Sequence, residues 1–153
     1  MRVLLYEYLT GGGLWSDEPS DALGHPLVAE GRAMADALSD DLHRAGVTLV
    51  RFQDARLAAA SEPPHEQVAI TSAAHERAAL ADWSRRADGV LLIAPEQGGR
   101  LLDRARWVEK QGGHLLSADS TFIALATDKT RTGQVLAAAG VAVPHALRLE
   151  PGE

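Results

Sequence analysis

The chain has 153 residues, of which 46% are hydrophobic and 24% are charged, with a net charge of −6 and no cysteine. This composition is typical of one soluble globular domain and excludes collagen-like, disordered and disulfide-stapled chains, while the lack of cysteine excludes thiolate metal sites and cysteine nucleophiles. The acidic balance argues against nucleic acid as a partner, and the absence of an apolar run of about 20 residues argues against a membrane.

The first half of the chain predicts two strands separated by a helix. Residues 2–8 are mostly apolar strand formers that end at a run of three glycines, Gly11 to Gly13. Because the N-terminus runs directly into this strand without a signal-peptide pattern, the expected location is the cytoplasm. Apolar residues spaced three and four apart predict a helix over 27–45, and a strand follows over 47–52. Residues 53–71 are interpreted as a loop with one short helix.

The second half alternates between predicted helices and strands more regularly. A helix over 72–87, capped by Ser72, is followed by a strand over 90–94, a loop over 95–99 and a helix over 100–111. A short strand over 114–117 and a helix from Asp119 or Ser120 to 126 come next. The last predicted elements are a helix over 128–139, capped by Asp128, and a strand over 145–149.

This alternation predicts a Rossmann-like α/β domain, with three layers and a mostly parallel sheet of about four strands. Ligands of such sheets bind where the strands end at their carboxyl termini. In this chain those ends are expected at 7–13, 52–54, 95–99 and 117–120.

The first of these ends supplies the candidate binding residues Glu7, Gly11, Gly12 and Gly13. Glycines at this point allow backbone N–H groups to come close to an anion or a substrate. The alternative is a turn that needs glycine for a positive φ. Glu7 is an acid in an apolar strand, which either orients a substrate amine or a loop backbone, or is an outward-facing or merely hydrogen-bonded acid.

Other patterns give no site. The six histidines are scattered, with no pair at the helical i, i+4 spacing, and we assign no metal ligand. No catalytic residue is assigned either. Arg100, Arg104, Arg106 and Lys110 form a basic stripe with acids between them, which we interpret as a solvated helix face.

The segment over 117–144 carries the most specific signal. It combines a short helix with Asp128-Lys129, an apolar helix face, Gly140-Val141 and Pro144. This arrangement resembles the junction between the first and second domains of ATP-grasp ligases. The opening Tyr-Glu-Tyr-Leu-Thr-Gly-Gly-Gly over 6–13, together with Glu30-Gly31 and Met34, is similar to the narrower group typified by tyramine–glutamate ligase.

The resemblance implies a specific chemistry. ATP-grasp ligases use ATP and magnesium to phosphorylate a carboxylate, which an amine then attacks. Lys129 corresponds to the lysine that reaches the ATP phosphates, while Glu7 and the three glycines would lie on the side of the amino-acid or amine substrate.

The same family uses a second lysine and an asparagine from later lobes, but this sequence has no asparagine, and its only other lysine is Lys110. We therefore expect residues 1–127 to be the pre-ATP-grasp, Rossmann-like N-terminal domain of such a ligase. Residues 128–153 would be a hinge helix and the start of a missing small lobe. The isolated chain is expected to be inactive and not to bind ATP and magnesium tightly. Its partners would be the remaining lobes, with a homodimer as a further option.

Two other functions are compatible with the fold. One is a stand-alone Rossmann-like module that binds a small molecule, a nucleotide or a protein. The other is a dinucleotide oxidoreductase, which is weaker because the G-x-G-x-x-G fingerprint is absent. A stand-alone module predicts a well-packed C-terminus, whereas a ligase fragment predicts an exposed apolar patch or a disordered tail there.

Overall fold

The computed structural model describes residues 1–16, 26–57 and 65–145. The chain divides into two compact units, Met1–Ser117 and Ala118–Glu153. This division by compactness falls at Ser117, and the functional boundary predicted at residue 127 stays a prediction.

The first unit is built on a parallel sheet of four strands. They are β1 (Arg2–Glu7), β2 (Thr48–Asp54), β3 (Glu66–Ile70) and β4 (Gly89–Ile93). Their order is β3-β2-β1-β4, and every pair of neighbours is parallel. The predicted α/β class and the four-stranded sheet are confirmed.

The described residues of this unit form three α-helices, which are α1 (Pro26–Arg44), α2 (Ala73–Arg86) and α3 (Arg100–Lys110). Ser72 caps α2 as predicted, since its side chain accepts a hydrogen bond from the His75 amide. Short 3₁₀ turns cover Gly13–Trp15 and Gln97–Gly99.

Two strand predictions were wrong. Residues 66–70, predicted to lie in a loop, form β3, an edge strand with the sequence Glu-Gln-Val-Ala-Ile. Only its last residue is buried, so it lacks the continuous apolar run by which a buried strand is recognised. Conversely, the predicted strand over 114–117 is a single bridge between Leu115 and Val90. The predicted strand over 145–149 lies outside the described residues, apart from His145.

The core explains why β1 is apolar on both faces. Val3 and Leu5 pack with Leu49 and with Ala35 of α1. The opposite face of β1 carries Tyr6, whose hydroxyl reaches α2. Helices therefore cover both faces of the sheet. Burial of each aliphatic or aromatic side chain stabilises the folded state by about 1.5–3 kcal/mol.

The second unit contains α4 (Ser120–Thr127) and α5 (Lys129–Ala138). The Asp119 side chain accepts a hydrogen bond from the Phe122 amide, and the Asp128 side chain accepts one from the Arg131 amide, so both predicted aspartate caps are present. The Thr132 hydroxyl donates to the Leu125 carbonyl at 2.7 Å and links the two helices. None of the helices in the described part of the chain is both long and apolar enough to cross a bilayer.

Candidate functional site

Glu7, at the carboxyl end of β1, holds the chain that follows it. Its carboxylate accepts hydrogen bonds from the Leu9 amide at 3.0 Å, the Thr10 amide at 2.7 Å and the Thr10 hydroxyl at 2.7 Å. The side chain is buried, and α1 comes so close at Gly31 that a Cβ there would lie 2.7 Å from Glu7 Oε1. Of the roles proposed for Glu7, the structure shows the ordering of loop backbone.

The three glycines lie in a buried loop, residues 8–16, called the 8–16 loop below. The Gly11 and Gly13 amides donate to the carbonyls of Glu7 and Tyr8, at 2.7 and 2.9 Å. These two amides are therefore occupied inside the loop and are not directed toward an external anion. Gly12 has a φ of 98°, and a Cβ on it would lie 2.5 Å from Ile70 Cγ2.

The 8–16 loop crosses the ends of β2 and β3. The Asp54 amide donates to the Thr10 carbonyl at 2.6 Å, and the Trp15 indole N–H donates to the Ile70 carbonyl at 3.3 Å. The Arg56 guanidinium stacks on the Trp15 ring at 3.7 Å and donates two hydrogen bonds to the buried carboxylate of Asp54, at 3.0 and 2.7 Å. The loop thus occupies the ends of β2 and β3, where a parallel sheet often admits a ligand.

The segment that follows β4 is exposed, whereas the 8–16 loop covers the ends of β2 and β3. The strand order changes direction between β1 and β4, which is the usual place for a ligand crevice. After β4, residues 96–99 are exposed, and both Gly98 and Gly99 have positive φ values. This segment at the β4 end is the candidate substrate-facing part of the first unit.

A buried network joins β1, α2 and α3. Arg104 of α3 donates to Glu76 of α2 through Nε at 2.8 Å and Nη2 at 3.3 Å. The Tyr6 hydroxyl donates to Glu76 Oε1 at 2.7 Å, and the Arg104 guanidinium lies 4.9 Å from the centre of the Tyr8 ring. Tyr6, Glu76 and Arg104 are all buried. The network therefore fixes α2 and α3 against the strand that leads into the 8–16 loop.

Electrostatics in this network favour one protonation state. Burial, reinforced by the negative charge of Glu76, raises the pKa of Tyr6 well above its usual value. Burial alone would lower the pKa of Arg104, but Tyr6 and Glu76 outweigh it and raise that pKa. Partial burial opposes ionisation of Asp103, yet its hydrogen bonds with Arg77 and Arg104 give a net lowering of its pKa. At neutral pH the network holds a neutral phenol and paired charges.

Sequence reasoning missed this network. Arg104 was assigned to a solvated helix face, which is wrong, since it is 3% exposed. Glu76 and Arg104 are 28 residues apart and lie on different helices, so no local spacing marks them as partners. The available signal was the position of Glu76 in line with the core residues Leu80 and Trp83 on α2.

Lys129 lies in the second unit, as the first residue of α5. Its ammonium is 3.4 Å from the Ala126 carbonyl, and within the described ranges no carboxylate pairs with it. The residue lines a cavity of about 360 Å³ formed by α5 and residues 143–145. Lys129 thus presents a cation at a concave surface, whereas Glu7 and the glycines form a packed loop in the first unit.

Two further features concern metals and ligands. A cavity of about 540 Å³ lies where β2 and β3 begin, lined by His43, Thr48, His65 and Glu66, at the edge of the sheet opposite the 8–16 loop. Burial, followed by the charge of Arg51, lowers the pKa of His65. Among residues 1–16, 26–57 and 65–145, no three side chains of His, Asp or Glu come together in a way that could hold a metal ion. The side chains described in this chain therefore do not fit a magnesium site.

Comparison with protein families identifies the first unit. The model of the pre ATP-grasp 3 domain family matches residues 47–123, just over half of the 153 residues. This chain belongs to the pre-ATP-grasp 3 domain family. The matched region runs from β2 to the first turn of α4 and includes Glu76, Arg104 and the exposed segment after β4.

The comparisons do not extend beyond the family. No curated protein and no solved structure matches the chain significantly. The family match begins after the 6–13 opening and ends before Lys129, so it does not confirm the narrower resemblance to tyramine–glutamate ligase.

Proposed function

We propose that this chain is the N-terminal, substrate-binding and structural domain of an ATP-dependent carboxylate–amine ligase of the ATP-grasp superfamily. The observation that supports this most strongly is the family match over residues 47–123. It favours a ligase domain over a stand-alone Rossmann-like module, because a pre-ATP-grasp domain is named for the catalytic domain that it precedes.

In this proposal Lys129 contacts the ATP phosphates. Its ammonium lies at the start of a helix and on a cavity wall, and an ammonium offsets phosphate charge as a mobile point donor. Because the described side chains do not provide a magnesium site, the magnesium ligands would come from the ATP-grasp lobes.

The 8–16 loop and the segment after β4 would form the wall that faces the amino-acid or amine substrate. Glu7 and the glycines would act here by giving the loop one shape, since the Glu7 carboxylate and the Gly11 and Gly13 amides make hydrogen bonds within it. A substrate related to that of tyramine–glutamate ligase is the specific candidate, and it rests on the opening sequence over 6–13.

The isolated chain tests the claim that this domain is not catalytic by itself. We expect the 153-residue protein to hydrolyse no ATP and to bind it with a dissociation constant well above micromolar in calorimetry, because a single lysine supplies the phosphate contact. Sub-micromolar affinity or steady ATP hydrolysis by this chain would contradict the assignment as a non-catalytic domain.

The second test uses the chain together with ATP-grasp lobes on the same or a separate polypeptide. With ATP, magnesium and a carboxylate substrate, hydroxylamine should trap the acyl phosphate as a hydroxamate. Replacement Lys129→Met should reduce hydroxamate formation at least tenfold, which corresponds to about 1.4 kcal/mol, while Lys110→Met on α3 should leave it unchanged. Hydroxamate formation that is equal with and without this chain would reject the proposed role.

A further inference from the structure

His65 is the residue directly before β3, and its imidazole is enclosed without a hydrogen bond. Both ring nitrogens, Nδ1 and Nε2, are shielded from water, and neither has a hydrogen-bond partner within the described ranges. A neutral imidazole carries one donor and one acceptor, whereas a protonated one carries two donors and a charge. Enclosure without partners costs far more free energy for the charged ring than for the neutral one. The observed position therefore suits the neutral form.

Charged groups of β2 and α1 act on this ring. Burial is the largest influence and lowers the pKa of His65, and the charge of Arg51, which is 4% exposed, acts in the same direction. Asp36 and Asp40 favour the proton, while His43 opposes it. The Arg51 guanidinium already donates a hydrogen bond to the Asp36 carboxylate, so that much of the negative charge nearby is compensated. A proton on His65 would thus place a second cation beside Arg51.

A cavity of about 540 Å³ gives the ring a second place to lie. His65 lines it together with His43, Thr48 and Glu66, and these three residues are exposed. The Glu66 carboxylate lies at this surface, 3.4 Å from the Arg2 guanidinium. A protonated imidazole in the cavity would be hydrated and would share the space with a carboxylate. The enclosed position and the cavity therefore suit opposite protonation states of the same side chain.

The strand that follows His65 depends on few contacts. β3 lies at the edge of the sheet, and only its last residue, Ile70, is buried. The Ile70 carbonyl accepts the hydrogen bond from the Trp15 indole, and its side chain lies against Gly12. A change at the start of β3 would therefore weaken the support of the 8–16 loop at the other end of the strand.

We propose that His65 is a pH-sensitive switch that controls the start of β3. In the neutral form the ring stays enclosed beside Arg51 and fixes the chain where the strand begins. Protonation moves the ring into the cavity and loosens β3. The switch lies within the first unit and does not depend on the proposed ligase function, so that either can fail without the other.

The direction of the pH effect follows from the lowered pKa. A free imidazole has a pKa of about 6.5, so the unfolded chain takes up this proton before the folded chain does as the pH falls. The stability that the neutral ring contributes is complete above about pH 6.5, and it is lost as the pH falls through the pKa of the folded state. One proton changes the folding equilibrium constant by at most about tenfold per pH unit.

The first experiment is an NMR titration of the isotopically labelled 153-residue chain from about pH 8 to about pH 5. The assigned ring signal of His65 should titrate with a midpoint below about 6.5. The amide signals of residues 66–70 should change in the same step. A midpoint at or above about 6.5 would overturn the inference, as would β3 amide signals that stay constant while His65 titrates.

The second experiment compares variants by urea denaturation at about pH 7.5 and about pH 5.5. His65→Phe keeps an enclosed ring that cannot take up a proton. We expect this variant to show an acid-induced fall in the folding equilibrium constant about two- to tenfold smaller than that of the unsubstituted chain. His114→Phe is the matched control, because it makes the same replacement at an exposed histidine outside this cavity, and it should leave the fall unchanged. Equal falls in His65→Phe and the unsubstituted chain would overturn the inference.

Discussion

At the scale of single residues, Glu76 and Arg104 form a buried ion pair, whose desolvation costs free energy. Two buried charges lose their hydration, and their mutual attraction compensates only when hydrogen bonds satisfy both groups. Here the Tyr6 hydroxyl donates a further hydrogen bond to the Glu76 carboxylate, and the Asp103 carboxylate accepts one from the Arg104 guanidinium. The pair therefore specifies how α2 and α3 are positioned on the sheet.

Removal of one partner should destabilise the protein strongly. We expect Glu76→Leu or Arg104→Leu to lower the free energy of unfolding by about 3–5 kcal/mol, because each leaves an uncompensated buried charge. The double variant should lose less than the sum of the two. The measurement is urea denaturation.

The control for this prediction is Arg44→Ala, which removes an exposed ion pair with Asp41. Exposed ion pairs contribute about 0–1 kcal/mol to the free energy of unfolding. If the Glu76 and Arg104 variants cost no more than the Arg44 variant, the buried pair does not stabilise the fold as described.

At the scale of elements, the 8–16 loop combines a buried position with close packing. Gly12 meets Ile70 of β3, and Trp15 reaches the carbonyl of the same residue. The three glycines in sequence predicted an unusual loop after β1, but they did not predict that it would pack on β3, because β3 itself was not recognised.

Gly12→Ala tests this packing. The added Cβ would meet Ile70 at 2.5 Å, and the alanine would also have to adopt a positive φ. Gly46→Ala is the matched control, since Gly46 has a φ of 75° but a Cβ added there would have no neighbouring atom within 4 Å. We expect Gly12→Ala to cost about 1–3 kcal/mol more than Gly46→Ala in urea denaturation, owing to the steric overlap. Equal losses would mean that the loop can move away from β3.

Sequence patterns predicted most elements and few of the contacts between them. Local signals located α2, α4 and α5, because Ser72, Asp119 and Asp128 are capping residues directly before helical segments. They could not locate β3, whose exposed edge position removes the apolar signal. They also could not pair Glu76 with Arg104, since that contact depends on how two helices pack.

At the scale of the whole molecule, the two units differ in how much they bury. The first contains the sheet and its core, whereas α5 has no buried residue, and Val135 and Leu136 are exposed. A helix of ten residues without a buried face is marginal in water. The stability of α5 should therefore be local and lower than that of the sheet.

Hydrogen exchange checks this difference. Amides of α5 should exchange much faster than those of β1, because local opening of α5 exposes little apolar surface. Gly133→Ala should slow exchange in α5 about two- to fivefold, as alanine favours a helix interior over glycine by about 0.5–1 kcal/mol. Exchange in β1 should be unchanged. Equal protection of α5 and β1 in the original chain would contradict the prediction.

The stacking of Arg56 on Trp15 also makes the 8–16 loop visible to spectroscopy. The chain has three tryptophans, of which Trp83 is buried in the first unit. The double replacement Trp83→Phe and Trp107→Phe would leave the Trp15 indole as the single fluorophore of that kind, in contact with a guanidinium and bonded to the end of β3. Its emission would then report, in real time, whether this loop stays attached to β3 when a small molecule or a second polypeptide is added.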